Sequence, residues 1–169
     1  MFNVVLSKAL SLAEWRTIIV RCIGVGARFD LAADGGALAY EADVAWFLVS
    51  VTSDAHWPQN LACLNLPESL ALGLHVDMEI AEAAATAHGT DALCDVRALP
   101  GVGDLDPQDP YWALALIGHK WFLVSTAGTS LMGPYIWGDG TETPGTASVK
   151  IIREVKPPSL RLLNSNSGT

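Results

Sequence analysis

Leu12, Trp15, Ile18, Ile19, Cys22 and Ile23 recur at intervals of three and four, the spacing of one buried helical face. Ser11-Leu-Ala-Glu14 just before them has capping-box spacing: Ser11 can cap the amide of Glu14, and Glu14 can reach back. Gly24 or Gly26 supplies the stop. Ahead of this helix, residues 2–7 read as a short opening strand. After it, Asp34-Gly35-Gly36 predicts a hairpin between residues 28–33 and 37–42, because glycine tolerates positive φ in a tight turn. Residues 44–52, rich in β-branched and aromatic side chains, predict a largely buried strand.

Further along, Pro58 and Pro67 bracket what reads as an irregular connection over residues 54–69. Residues 70–80 predict a strand in which Leu74, Val76, Met78 and Ile80 point one way and His75, Asp77 and Glu79 the other, one face being solvated. Residues 81–87 and 91–99 have helix-favouring composition but are split by Gly89, and the second half is the preferred helix, capped by Thr90 or Asp91. Residues 101–110 are turn-rich. Two strands, 111–118 and 120–126, surround an Ile117-Gly118-His119 turn, and residues 147–155 form a last strand. Strands interspersed with helices, without strict βαβ alternation, predict an α+β fold. The expected architecture is a single domain over residues 1–156, a mainly antiparallel sheet with two or three helices on one face. Residues 157–169, opened by Pro157-Pro158 and ending in a Ser/Asn-rich run, read as a flexible tail.

Composition supports one sizeable core. A chain of 169 residues, half of them hydrophobic and only 17% charged, buries roughly 70% of its unfolded surface on folding. Its uncharged stretches fall short of the roughly 18 to 20 apolar residues of a membrane span, or are broken by Gly, Pro and hydroxyl residues. The first residues show no basic leader and no cleavage pattern, so a cytoplasmic location is expected. Cys22, Cys63 and Cys94 are odd in number and set among apolar neighbours, which suits reduced core thiols.

Charge changes the picture most. The net value is -8, and residues 29–96 contain no Lys or Arg while carrying Asp30, Asp34, Glu41, Asp43, Asp54, Glu68, Asp77, Glu79, Glu82, Asp91 and Asp95. Such a single-sign field repels nucleic acid and anionic membranes and speeds association with basic proteins. The plain alternative is that the acids confer solubility.

Candidate chemistry is sparse. His75, Asp77 and Glu79 on one strand face could bind a divalent metal if another ligand arrived, although alternation on a wet sheet face already explains them. Asp104, Asp106 and Asp109 have something of a calcium-loop spacing, yet Pro107 and Pro110 interrupt it and the central glycine is missing. Gly24-Val25-Gly26 follows a helix, so it reads as a helix stop and not as a dinucleotide loop. No motif joins His56, His75, His88 or His119 to a nucleophile, so no catalytic group and no cofactor are assigned. Trp15 and Trp46 read as core. Trp57, Trp112 and Trp137, with Tyr111 and Tyr135, lie near Asp54, Asp109 and Asp139 and could form an aromatic, acidic docking surface, although packing is the commoner use of Trp.

The order of elements, with Tyr40-Glu41-Ala-Asp-Val-Ala-Trp-Phe47 and the later Gly101-Val-Gly-Asp-Leu-Asp-Pro-Gln108, resembles small immunity-type proteins that partner bacterial polymorphic or contact-delivered toxins. The resemblance covers about residues 1–125 in arrangement and assigns no site residue. It implies stoichiometric binding to a toxin, with an acidic surface occluding a basic active site. The expected function is therefore a non-enzymatic binder of a basic protein. Its expected interface is Asp54, Trp57, Asp104, Asp106, Asp109, Trp112, Trp137 and Asp139. The alternatives are a small metal-dependent hydrolase built on His75, Asp77 and Glu79, or a subunit burying a Trp-rich edge in a larger assembly.

Overall fold

In β1 (Phe2–Leu6) the side chains of Phe2, Val4 and Leu6 are buried while Asn3 is exposed. A computed structural model describes residues 1–37, 41–70, 75–96, 102, 111–127, 129–132, 135–136, 142–143, 148–158 and 160. Helix α1 (Leu12–Ile23) starts with the expected capping box: the Glu14 amide donates to Ser11 Oγ, and the Ser11 amide donates to Glu14 Oε2 at 2.7 Å. Ser11's backbone N–H is the largest reason that the Glu14 carboxyl sits below its ordinary pKa. Gly24, at φ 104°, ends the helix. Trp15, Ile18, Ile19 and Cys22 form its buried face, whereas Leu12 is exposed.

Where the Asp34-Gly-Gly hairpin is predicted, residues 38–40 of its second arm lie outside the described residues, and the first arm takes another partner. β2 (Phe29–Ala33) pairs in parallel with β3 (Ala45–Val51), so the connection carries the chain back to the starting end of β2. There the Arg28 guanidinium bridges Glu41 and Asp43, and the Ala45 amide donates to Arg28 O. The expected irregular stretch after Pro58 contains a central strand, β4 (Gln59–Asn65), which buries Gln59, Leu61 and Cys63 alternately.

The predicted strand over residues 70–80 is also corrected. α2 (Val76–His88) is one helix, its run from Val76 to Ala81 buried without alternation because it packs against α1, β1 and β5 at once. Its Ala and Glu content favours a helix, and Gly89 caps it in the left-handed region. Residues expected to be helical after Gly89 instead include β5 (Ala92–Asp95). β6 (Trp112–Ile117) and β7 (Lys120–Ser125) form the predicted hairpin, turning through Gly118 and His119 at φ 55° and 66°. Both central residues at positive φ match the right-handed twist of the strands. A 3-10 turn (Ser130–Met132), β8 (Tyr135–Ile136), β9 (Glu142–Thr143) and β10 (Lys150–Glu154) follow.

The result is an α+β arrangement. One eight-stranded, mostly antiparallel sheet in the order β10-β7-β6-β5-β1-β4-β3-β2 stands beside the small β8-β9 pair. Both helices contribute to one core with Val4, Leu6, Phe47, Leu61, Leu114 and Leu123. A second cluster, Trp57, Leu93, Ala113, Ala115 and Val124, lies apart from it. Among the described residues no helix is long and apolar enough to cross a membrane. The tail reading for residues 157–169 rests largely on positions outside the described residues.

Candidate functional site

Side chains alternate across a strand, so the sheet turns a second set of residues away from the helices. Register places Ser50, Asn60, Val5, Leu93 and Ala115 side by side on β3, β4, β1, β5 and β6. The part of this face over β5, β6 and β7 is covered. Leu131 and Val149 pack against the second cluster there, and Trp57 from the β3–β4 loop belongs to it.

Asp54 fastens that cover. Its Oδ1 accepts from the amides of His56 at 2.9 Å and Trp57 at 3.2 Å, turning the β3–β4 loop, and its Oδ2 accepts from the Ser130 amide at 3.1 Å. Thr52 Oγ1 accepts from the Asp54 amide and donates to Trp57 O. Two segments 76 residues apart are thereby joined through one carboxylate.

Beside the cover the face opens into a groove of about 360 Å³, whose lining includes Asn3, Ser50, Asn60, Asp95 and Leu131. Asp95 Oδ2 accepts from the Asn3 amide at 3.0 Å, and Asn60 Nδ2 donates to Asn3 Oδ1 at 3.3 Å. Asn60 Oδ1 is buried with no donor. Among the described residues the lining holds one carboxylate and no Lys, Arg or His. Its polar groups are carboxamides and hydroxyls, which both accept and donate, around one carboxylate among the described residues, a set suited to binding.

The expected interface residues are distributed as follows. Asp54 and Trp57 are each only 5% exposed, so either gives a docking partner little surface. Trp112 is half-buried on β6, borders the groove and packs against the main core, with its indole N–H unpartnered. Asp104, Asp106, Asp109, Trp137 and Asp139 lie outside the described residues. Asn3, Asn60 and Asp95 were not singled out in the sequence. Only strand register joins them, and Asp95 falls where a helix is expected.

The metal-site geometry is overturned. On a helix, His75, Asp77 and Glu79 no longer share one face, and Asp77 and Glu79 are 0% and 2% exposed. Among the described residues no three His, Cys, Asp or Glu side chains are placed to hold an ion.

The acidic stretch is less continuous than its sequence suggests. Asp54, Asp77 and Glu79 are buried, and Glu41 and Asp43 are paired with Arg28 at 2.6 and 2.5 Å. Asp34, Glu68 and Asp95 remain exposed. The three cysteines are buried and in no disulfide, as expected of core thiols, and burial pushes the Cys63 thiol up to about 11, which keeps it protonated and unreactive at neutral pH.

A wider groove of about 630 Å³ between α2 and the β7–β10 edge differs in kind. There Trp121 Nε1 donates to Glu82 at 2.8 Å, and Lys120 pairs with Glu154 at 3.5 Å, so its opposite charges largely serve one another. Comparison with known proteins gives no match to a protein family, a curated protein or a solved structure.

Proposed function

We propose that the chain is a non-enzymatic, acidic protein-binding module, an immunity-type inhibitor that docks on a basic partner such as a toxin or nuclease and covers its working surface. The observation that carries this reading is the groove on the sheet face turned away from α1 and α2, which offers polar side chains and the exposed Asp95 with no cationic side chain among the described residues of its lining. The net charge of -8 acts in the same direction, drawing cationic proteins in and turning polyanions away.

The reading is tested by capturing partners from the source cell, purifying the principal one and measuring the complex. A 1:1 complex with a basic protein is expected, and its association rate should fall by about tenfold or more between low and physiological salt. The partner's activity should be lost in the complex. A neutral or acidic partner, or an association rate indifferent to salt, would overturn the proposal.

A further inference from the structure

We infer that the groove on the sheet face turned away from α1 and α2 receives an arginine side chain of that basic partner, its guanidinium seated against Asp95 and beside the carboxamides of Asn3 and Asn60. The inference rests on the reading of the chain as a binder of a basic protein. It adds the residue type recognised and the atoms that recognise it.

Three observations converge on a guanidinium. Asp95 spends one oxygen, Oδ2, on the Asn3 amide, which fixes the carboxylate on the sheet and leaves Oδ1 without a partner among the described residues at an exposed position. Asn60 is held by its own donor to Asn3 Oδ1, so its oxygen is oriented, yet that oxygen has no donor. That oxygen is closed off from solvent, so a ligand N–H reaches it and relieves the missing bond only when the Asn60 carboxamide turns outward. Ser50 stands next to Asn60 in register and adds a hydroxyl.

The ligand that matches one negative charge beside carboxamide and hydroxyl oxygens is a cation with several donors in a fixed plane. Arginine has five N–H donors and no acceptor, and its charge persists at all physiological pH. Lysine would meet Asp95 as a point charge but could not span the carboxamides as a planar fork does. An anion would meet the Asp95 carboxylate with no compensating base among the described lining residues.

The test uses N-acetyl-arginine amide as the probe, titrated into the full chain and followed by backbone amide NMR. N-acetyl-citrulline amide serves as the neutral isostere. The arginine probe should give saturable shifts centred on Asn3, Ser50, Asn60 and Asp95, and citrulline should give none. Asp95→Asn, at an exposed position, should weaken the probe by about tenfold, the worth of one charge-assisted hydrogen bond. Glu68→Gln, an exposed acid outside this lining, should leave it unchanged. Equal shifts with citrulline, shifts scattered over the surface, or an unaltered Asp95→Asn variant would overturn the assignment. If the probe fails while a basic partner still binds with salt-dependent kinetics, the groove assignment falls and the broader reading stands. If the probe binds as described but the cellular partner is acidic, the broader reading falls and the guanidinium site stands.

Discussion

Asp54 and Asn60 show how two polar side chains close together in sequence come to opposite uses. Asp54 is buried and saturated, holding three backbone N–H groups from His56, Trp57 and Ser130. Asp54→Ala would leave three donors without an acceptor, so a loss of about 3 kcal/mol in urea denaturation is expected. A loss below about 0.5 kcal/mol, the level of ordinary surface changes, would show that the carboxylate does not hold the cover. The neighbouring Gln59 is likewise saturated. Its oxygen accepts from the Leu10 amide and Trp15 Nε1, both at 2.8 Å, and its nitrogen donates to Leu10 O. Asn60 alone of the three retains an acceptor without a donor, and it lines the groove.

At the level of elements, the two helices are held by different means. α1 carries a complete capping box and one apolar stripe, whereas α2 begins at His75 with no side-chain cap and depends on burial of nearly its whole first half. Ser11→Ala should therefore cost about 1 kcal/mol, the usual worth of an N-cap, read as a lower midpoint with unchanged m-value. An unchanged midpoint would mean that α1 is set by packing alone. The sheet's outer strand, β10, breaks its pairing with β7 by a bulge between Ile151 and Arg153, leaving Ile151 and Ile152 51% and 41% exposed. A bulge and flanking Lys150 and Arg153 are means by which an edge strand discourages pairing with other chains.

For the molecule as a whole, the balance of charge matters more than any one pair. The Arg28 bridges and the Lys120–Glu154 pair are all well exposed, so solvent screens them and each contributes little. The excess of eighteen acids over ten bases repels itself throughout the fold. Added sodium chloride should therefore raise the melting temperature by a few degrees as screening sets in. A fall instead would show that the local bridges outweigh the net repulsion.

What could be read from residue order was whatever is written locally. α1 announces itself by its cap, its stripe and its glycine stop; β1, β3 and the β6–β7 hairpin lie in short apolar runs with recognisable turns. The failures share one cause, which is burial on more than one side. α2 lies between α1 and the sheet and β5 is wholly buried over Ala92, Leu93 and Cys94, so neither shows the polar face that gives a period away. Pairing was equally hidden: β2 joins β3 in parallel, and β4 slots between β1 and β3. The groove belongs to this second kind of information. Asn3, Asn60 and Asp95 are brought together by hydrogen bonds across three strands, and whether a carboxylate such as Asp54 meets solvent or three amides depends on which distant segment folds over it.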